Sequence, residues 1–318
     1  MIEITGLRKT FRSGRGKRAT VVEAVRGVDL TVHEGEIFGF LGPNGAGKTT
    51  TLQMLTTLLS PDRGTVTIAG VDLLDNPEEV RRRVGYVAQG GGTWGDVTGR
   101  EELVMQARMY GFGREEARRR AEAALAALDM SEFADRKCKT YSGGQRRRID
   151  IAMGVIHEPR VLFLDEPTAG LDPQSRARVW EKIRSLHANG MTVFLTTHYL
   201  DEADELCDRI AIIDEGTIVT GGTPEQLKRE ITGDVVTVGV NGATRSAADL
   251  LDGQAYVRKL ESIDDGGLRL HVEDGSTAIP QIMRTLESAR LDLDSIQLHR
   301  PSLDEVFLAK TGRSLRES

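Results

Sequence analysis

Three short segments bring phosphate chemistry into this sequence. Gly42, Pro43, Asn44, Gly45, Ala46, Gly47, Lys48 and Thr49 form a glycine-rich loop that ends in a lysine and a hydroxyl, with Thr50 following. Glycines let such a loop turn tightly and bring its N–H groups against phosphate oxygens, and the start of the next helix adds partial positive charge. Lys48 would then reach the β- and γ-phosphates of a nucleotide, and the Thr49 hydroxyl could ligate Mg²⁺. Downstream, an apolar run over residues 161–164 ends in Asp165 and Glu166. Carboxylates at the carboxyl end of a buried strand lie where ligands bind in open α/β sheets, and they suit phosphoryl transfer. Taken alone, the same pair reads as a solvated strand end that Pro167 breaks. Between these segments, Ser142, Gly143, Gly144 and Gln145 precede Arg146, Arg147 and Arg148. Ser142 would cap a helix, with Gln145 at the reciprocal position of a capping box. As structure alone, this is a capped helix with a solvated basic face at residues 146–148. As chemistry, a serine hydroxyl and two glycine amides at a helix start make a second anion site.

These groups can act together only if strands and helices hold them. Residues 37–41 are a short apolar run, as expected of a strand buried on both faces, and Leu52, Leu55, Leu58 and Leu59 recur at helical spacing over residues 49–59. The loop therefore lies between strand and helix. Residues 191–197 form a third apolar run that ends in His198, and residues 84–88 form another that ends before Gln89. Asp172 followed by Pro173 reads as a helix cap with a first-turn proline. Thr98 with Glu101 starts a helical stretch reaching Met130, in which Leu103, Ala107 and Tyr110 share a face and residues 111–113 make a break. The glycine-rich residues 90–94 suggest a mobile contact loop.

The loop, the carboxylate pair and the serine–glycine–glycine–glutamine segment, in this order, resemble the ATP-binding-cassette (ABC) ATPases over roughly the first two thirds of the chain. The resemblance implies an α/β fold: a P-loop, RecA-like nucleotide-binding domain with a helical subdomain at about residues 90–150 and an antiparallel β subdomain. It implies ATP and Mg²⁺ as ligands. Asp165 would hold the metal through water, and Glu166 would polarise the attacking water. Gln89 would sense metal and water, His198 would contact the γ-phosphate, and Phe11 would stack on adenine in place of the commoner tyrosine. The loop ending at Asp172 would cross to a partner's site. The signature at Ser142, Gly143, Gly144 and Gln145 would close over phosphate held by a second copy, giving a head-to-tail pair with two ATP molecules. Tyr141 stands where leucine is usual, and Arg147 where glutamine is frequent.

At 318 residues two domains are expected, here residues 1–225 and 226–318. Net charge is −6 and the pI about 5.7, against a broad polyanion-binding surface, so no nucleic-acid partner is expected. Two basic stretches, residues 13–18 and 118–120, read as a solvated loop and helix face. Cys138 and Cys207 lack ligand spacing, the histidines form no metal pattern, and a reduced cytosolic setting is expected. No apolar stretch approaches the roughly 18 residues of a membrane span, so the membrane would be reached through a separate permease, from its inner face.

Beyond residue 225 the character changes. Thr223 to Gln226 starts a capped helix. Residues 235–240, 255–260, 268–272 and 291–298 read as strands, and residues 278–289 as an amphipathic helix. Ser302 with Glu305 reads as another capping box, with Phe307 and Leu308 expected to be buried. This describes a small α+β domain without catalytic groups. The segment ending at Gly312 resembles the tail of daunorubicin-resistance-type drug-export ATPases, which implies the energising subunit of an exporter for drugs or other amphipathic compounds. The alternative is a soluble ABC ATPase acting on nucleic acid or the ribosome. Such proteins usually carry two cassettes or long coiled-coil insertions, and this sequence has neither. A regulatory ATP-binding module without turnover is disfavoured by intact Lys48, Glu166 and His198.

Overall fold

The computed structural model describes residues 1–13, 20–231, 233–240, 243–263 and 267–313. Apart from the backbone of Ser13, the basic stretch at 13–18 lies outside them. Contacts divide the chain into two compact units, Met1–Gly221 and one beginning at Gly222.

The first unit opens with a long antiparallel pair, β1 (Ile2–Ser13) and β2 (Thr20–Val32). Next, β3 (Ile37–Leu41) runs through the glycine loop into α1 (Lys48–Leu55). With β4 (Arg63–Ile68) and β5 (Val71–Asp72), the first two strands form an antiparallel sheet ordered β2-β1-β4-β5. The chain continues through α2 (Pro77–Arg83), β6 (Val84–Val87), α3 (Gly99–Met109), α4 (Arg114–Ala127) and α5 (Gly143–Val155). It then alternates β7 (Val161–Asp165), α6 (Pro173–Ala188), β8 (Thr192–Thr197) and α7 (Leu200–Leu206). A hairpin of β9 (Arg209–Asp214) and β10 (Thr217–Gly222) turns at Glu215 and Gly216, both at positive φ.

The second sheet runs β10-β9-β3-β8-β7-β6, and β9, β3, β8, β7 and β6 are parallel neighbours. Its register sets the site. Leu41 lies opposite Thr197 and Asp165 opposite Thr196, so the carboxyl ends of β3, β7 and β8 come level. Every residue of β3, β7 and β8 is buried, as a parallel sheet covered on both faces requires. Phe194 anchors the centre, with ring centroids 5.6 Å from Phe38, 5.7 Å from Phe40 and 5.5 Å from Phe163. Such pairs contribute about 0.5–1.5 kcal/mol each beyond area burial.

Several expectations are corrected. α1 stops at Leu55 instead of continuing to Leu59: the Thr56 hydroxyl bonds back to the Leu52 carbonyl at 2.9 Å, Thr57 takes φ 63°, and Leu58 is 63% exposed. In α3, Leu103 and Ala107 are buried, but Tyr110 lies past the last turn and stacks on His157 at 3.9 Å. Arg118 and Arg119 are exposed, whereas Arg120 is largely covered, bonding Glu116 and Glu158 and lying over the Phe112 ring.

The second unit begins with α8 (Pro224–Ile231), capped reciprocally by Thr223 and Gln226. β11 (Asp234–Val240), α9 (Thr244–Leu251), β12 (Val257–Ser262), β13 (Gly267–Val272), α10 (Gly275–Ser288) and β14 (Leu293–His299) give a βαββαβ order. The antiparallel sheet runs β12-β13-β11-β14, and Val236, Val238, Leu268 and Leu270 pack with Ala247 of α9 and Ile282 of α10. α9 was not anticipated from the sequence. In α11 (Leu303–Thr311) Phe307 is 1% exposed but Leu308 is 50% exposed, because adjacent helical positions point about 100° apart. Ser302 caps this helix through the Glu305 amide, but the Glu305 carboxylate bonds His299 instead of returning to the cap.

Candidate active site

The glycine loop encloses the foot of α1. Gly45 and Gly47 take φ 80° and 105°, and a Cβ on Gly47 would lie 2.4 Å from the Ala24 carbonyl oxygen. Only glycine fits there without distortion. The amides of Asn44, Gly45 and Gly47 find no acceptor among the described residues, which leaves them available to an anion. A cavity of about 160 Å³ is lined by this loop, Thr49, Thr50, Ala24, Gln89 and Glu166. That volume suits phosphate groups rather than a whole nucleotide.

Lys48 is buried at the loop's end. Its ammonium donates to the carbonyls of Gly42 at 2.7 Å and Pro43 at 3.1 Å and lies 3.3 Å from Glu166 Oε1. Burial pushes its pKa below the usual lysine value, against the attraction of Glu166 and Asp165. Thr49 Oγ1 and Thr196 Oγ1 both donate to Asp165 Oδ1, at 3.2 and 2.6 Å. Glu166 collects groups from three other segments. Gln89 Nε2 donates to its Oε2 at 2.8 Å, Lys48 stands beside Oε1, and His198 Nδ1 lies 3.1 Å from Oε1, near enough for charge but off the hydrogen-bond direction. Burial raises the Glu166 pKa, but His198 and Lys48 outweigh it and hold the carboxyl below its usual value. The backbone there is strained: Glu166 has φ 43°, at a cost of order 1–3 kcal/mol, and its amide is held by the carbonyl and hydroxyl of Thr196, each at 3.1 Å.

Residues distant in sequence thus meet: Lys48, Thr49, Gln89, Asp165, Glu166 and His198. The signature stands apart. Ser142 caps α5 in a full capping box with Gln145, and Ser142 and Gly143 are exposed. Ser142, Gly144 and Gln145 border a different small cavity with Ser175 and Arg178, which shares no residue with the phosphate cavity. Asp172 caps α6 by accepting the Ser175 amide at 2.9 Å. Phe11 is 42% exposed on β1, opposite Val22 of β2 and two residues along that strand from Ala24.

The solvated basic face expected at residues 146–148 forms only at Arg146, which is exposed. Arg147 and Arg148 are each 6% exposed. Arg147 donates to the carbonyls of Ala88 at 2.6 Å, Asp165 at 2.8 Å and Pro167 at 2.8 Å, and Arg148 to those of Leu128 and Asp129. Guanidinium donors can satisfy loop carbonyls that have no strand partner, which makes their burial tolerable. The glycine-rich residues 90–94 are correspondingly tied down, because Asp150 accepts from the Gly92 amide and the Thr93 hydroxyl. Sequence reasoning also passed over Glu202, buried in α7, which accepts from Thr168 and Trp180. Its position four residues after His198 was the available signal.

A parallel sheet, a phosphate loop at a helix start and level carboxylates together define a P-loop nucleotide hydrolase. The family described as "ABC transporter" matches residues 25–169, and that described as "ATP-binding protein DrrA1-3-like, C-terminal domain" matches residues 222–311. The chain is 44% identical over 304 residues to the daunorubicin resistance ATP-binding protein DrrA2 of Streptomyces coeruleorubidus, covering 93% of this chain and 92% of that one. It is 43% identical to the daunorubicin/doxorubicin resistance ATP-binding protein DrrA of Streptomyces peucetius, covering 98% and 92%. A solved dimeric ATP-binding cassette in a post-hydrolysis state, bound to ADP and Pi, superposes with a TM-score of 0.63 at 27% identity, covering 70% of this chain and 98% of that one. The chain belongs to the ABC transporter ATP-binding proteins, and it binds and hydrolyses ATP. A soluble ATPase acting on the ribosome is not favoured.

Proposed function

We propose that the chain energises export of drugs or similar amphipathic compounds through a separate permease, with ATP hydrolysed at the Lys48–Glu166 cavity. The observation that carries this reading is the convergence of Lys48, Gln89 and His198 on one strained carboxylate, Glu166. The loop from Gly42 to Thr50 cradles the phosphates and Phe11 stacks on adenine. Thr49 and Asp165 offer hard oxygens 3.2 Å apart, with Gln89 nearby, and that donor set fits Mg²⁺. When bound, the metal would neutralise charge on the phosphate oxygens. Glu166, held ionised by His198 and Lys48, accepts hydrogen bonds and orients the attacking water, while His198 contacts the γ-phosphate.

Ser142, Gly143 and Gly144 complete the site of a second copy, with Asp172 at the crossing loop. Their separation from the chain's own phosphate cavity supports a head-to-tail pair. The names of the relatives support drug export. Among the described residues no helix is long and apolar enough to cross a membrane. We assign permease contact to the helical subdomain, where Trp94, Met109 and Tyr110 are exposed, and to the adjoining groove of about 530 Å³ that Tyr110 lines together with Leu58, Arg81 and Tyr86 from outside the subdomain. The chain would then lie on the cytoplasmic face of the membrane, with residues 226–318 serving assembly and coupling.

Glu166→Gln tests the core of this. Nucleotide should still bind while hydrolysis falls by about a thousandfold, and ATP should then drive dimerisation measurable by light scattering. Adding Gly143→Asp places a carboxylate against the incoming γ-phosphate and should abolish the dimer. Normal turnover in Glu166→Gln rejects the catalytic assignment, and an undiminished dimer in the double variant rejects the head-to-tail arrangement.

A further inference from the structure

Arg147 links parts of the site that the chain keeps far apart in sequence. It lies one turn into α5, behind the exposed Ser142 and Gly143, and its guanidinium points into the body of the first unit. Nη1 donates to the Ala88 carbonyl, Nη2 to that of Asp165 and Nε to that of Pro167. Ala88 directly precedes Gln89, and Asp165 and Pro167 flank Glu166 on both sides. We propose that Arg147 is a positioning residue for hydrolysis, fixing the segments that carry Gln89 and Glu166 to the signature helix of the same chain. The proposal rests on the roles given above to Gln89 and Glu166.

The chemistry of the contact favours this role. Glu166 holds a φ of 43°, which side-chain-bearing residues seldom adopt, so its neighbours must over-determine the turn. Thr196 already holds the Glu166 amide, and Pro167 has no amide to donate, so the carbonyl is the one backbone handle that Pro167 offers. A guanidinium presents five donors in a rigid plane and can hold three carbonyls in one fixed arrangement. An ammonium gives a compact point charge, and a glutamine amide has two donors only. One turn further along α5, Asp150 accepts from Gly92 and Thr93, so the same helix grips the glutamine segment on both sides of Gln89. Packing alone would not call for a charge here, since a well-packed apolar side chain of similar volume usually serves a core at least as well. The buried guanidinium is offset by Asp150, Asp165 and Glu202 around it, with burial pulling its pKa down and these carboxylates pulling it up. A displacement of the start of α5 is thereby passed to Ala88, Asp165 and Pro167 together.

The test uses full-length Arg147→Lys, Arg147→Gln and Arg147→Met, with Glu166→Gln alongside. Thermal midpoint, ATP Kd and the single-turnover hydrolysis rate are measured for each. The phosphate loop is untouched in the Arg147 variants, so Kd should stay within about threefold, while the rate falls about tenfold in Arg147→Lys and about a hundredfold in Arg147→Met, as small misplacements of reacting groups do. Arg147→Gln should fall between them. This split with partial rescue by lysine supports positioning. A wild-type rate in a folded Arg147→Met overturns it, as does a parallel loss of affinity and rate that follows the thermal midpoint. Should Arg147→Met not fold, a wild-type rate in Arg147→Gln overturns it equally. Retained turnover in Glu166→Gln instead sinks the site reading beneath the proposal, whereas an inactive Glu166→Gln beside a normal Arg147 series sinks the proposal alone.

Discussion

The two units bury different kinds of side chain. Among the described residues every buried charged group lies in the first unit: Lys48, Asp165 and Glu166 at the phosphate site, Arg147, Arg148 and Asp150 on α5, and Glu36, Glu102 and Glu202. The second unit fills its core with aliphatic residues such as Val236, Val238, Leu268 and Ile282. Burying a charge costs several kcal/mol before partners compensate, so a fold carries such groups where they have partners and, often, a task. In the first unit most of them are hydrogen-bonded around Glu166 or to the loops beside it. The second unit shows the opposite design, a small βαββαβ body stabilised by apolar packing, which suits docking better than chemistry.

That contrast breaks most visibly if a change in one unit reads out in the other. Phe307 is 1% exposed on α11, which packs against α8. Phe307→Ala should destabilise the second unit by about 3–5 kcal/mol through lost transfer energy and the cavity left behind. ATP affinity should hold. Calorimetry beside nucleotide titration checks both, and a collapse of ATP binding in a chain whose first unit remains folded would remove the separation. Gly47→Ala is the converse. Its Cβ would press on the Ala24 carbonyl oxygen at 2.4 Å with φ at 105°, so the loop must deform. Strain of ~3 kcal/mol predicts about a hundredfold loss of ATP affinity, with the unfolding of the second unit unchanged. Unaltered binding would show that this loop is not the phosphate cradle.

How far the sequence could be read follows the same division. The loop, the strand ends and the caps at Thr98, Ser142 and Asp172 were legible because each rests on a local rule of spacing or hydrogen bonding. The inward turn of Arg147 and Arg148 was not. Three consecutive arginines look like a solvated face, and the carbonyls that receive them come from Ala88, Leu128, Asp165 and Pro167, far away in sequence. The early end of α1 depends on a single threonine back-bond and a positive φ at Thr57, too fine for leucine spacing to reveal. In the second unit the strands emerged from their alternation. α9 escapes such a reading because its run, Thr244 to Leu251, is eight residues long, little more than two turns in which a helical period can repeat. Leu308 was placed inside by hydrophobicity alone, although it cannot share an inward face with Phe307.

Glu202 offers the smallest and sharpest test of why the first unit retains buried charge. Its carboxyl is fully buried in α7, Oε1 accepts from the Thr168 hydroxyl at 2.6 Å and Trp180 Nε1 at 2.9 Å, and Oε2 has no partner. Burial pushes its pKa above the usual carboxylate value, against the pull of those donors. A carboxyl whose pKa is raised on folding binds its proton more tightly folded than unfolded. Its contribution is therefore greatest below the unfolded pKa and declines as pH rises through the folded one. Glu202→Gln keeps an acceptor for Thr168 and Trp180 and cannot ionise. Its thermal midpoint relative to the unaltered chain should thus improve between about pH 5 and about pH 8, by a few degrees at most. A constant difference across that range would mean that Glu202 is ionised as fully in the folded chain as in the unfolded one, so that folding does not raise its pKa. A difference moving the other way would mean that the carboxylate is stabilised where it sits, and that the first unit holds this charge as a satisfied ion instead of tolerating it.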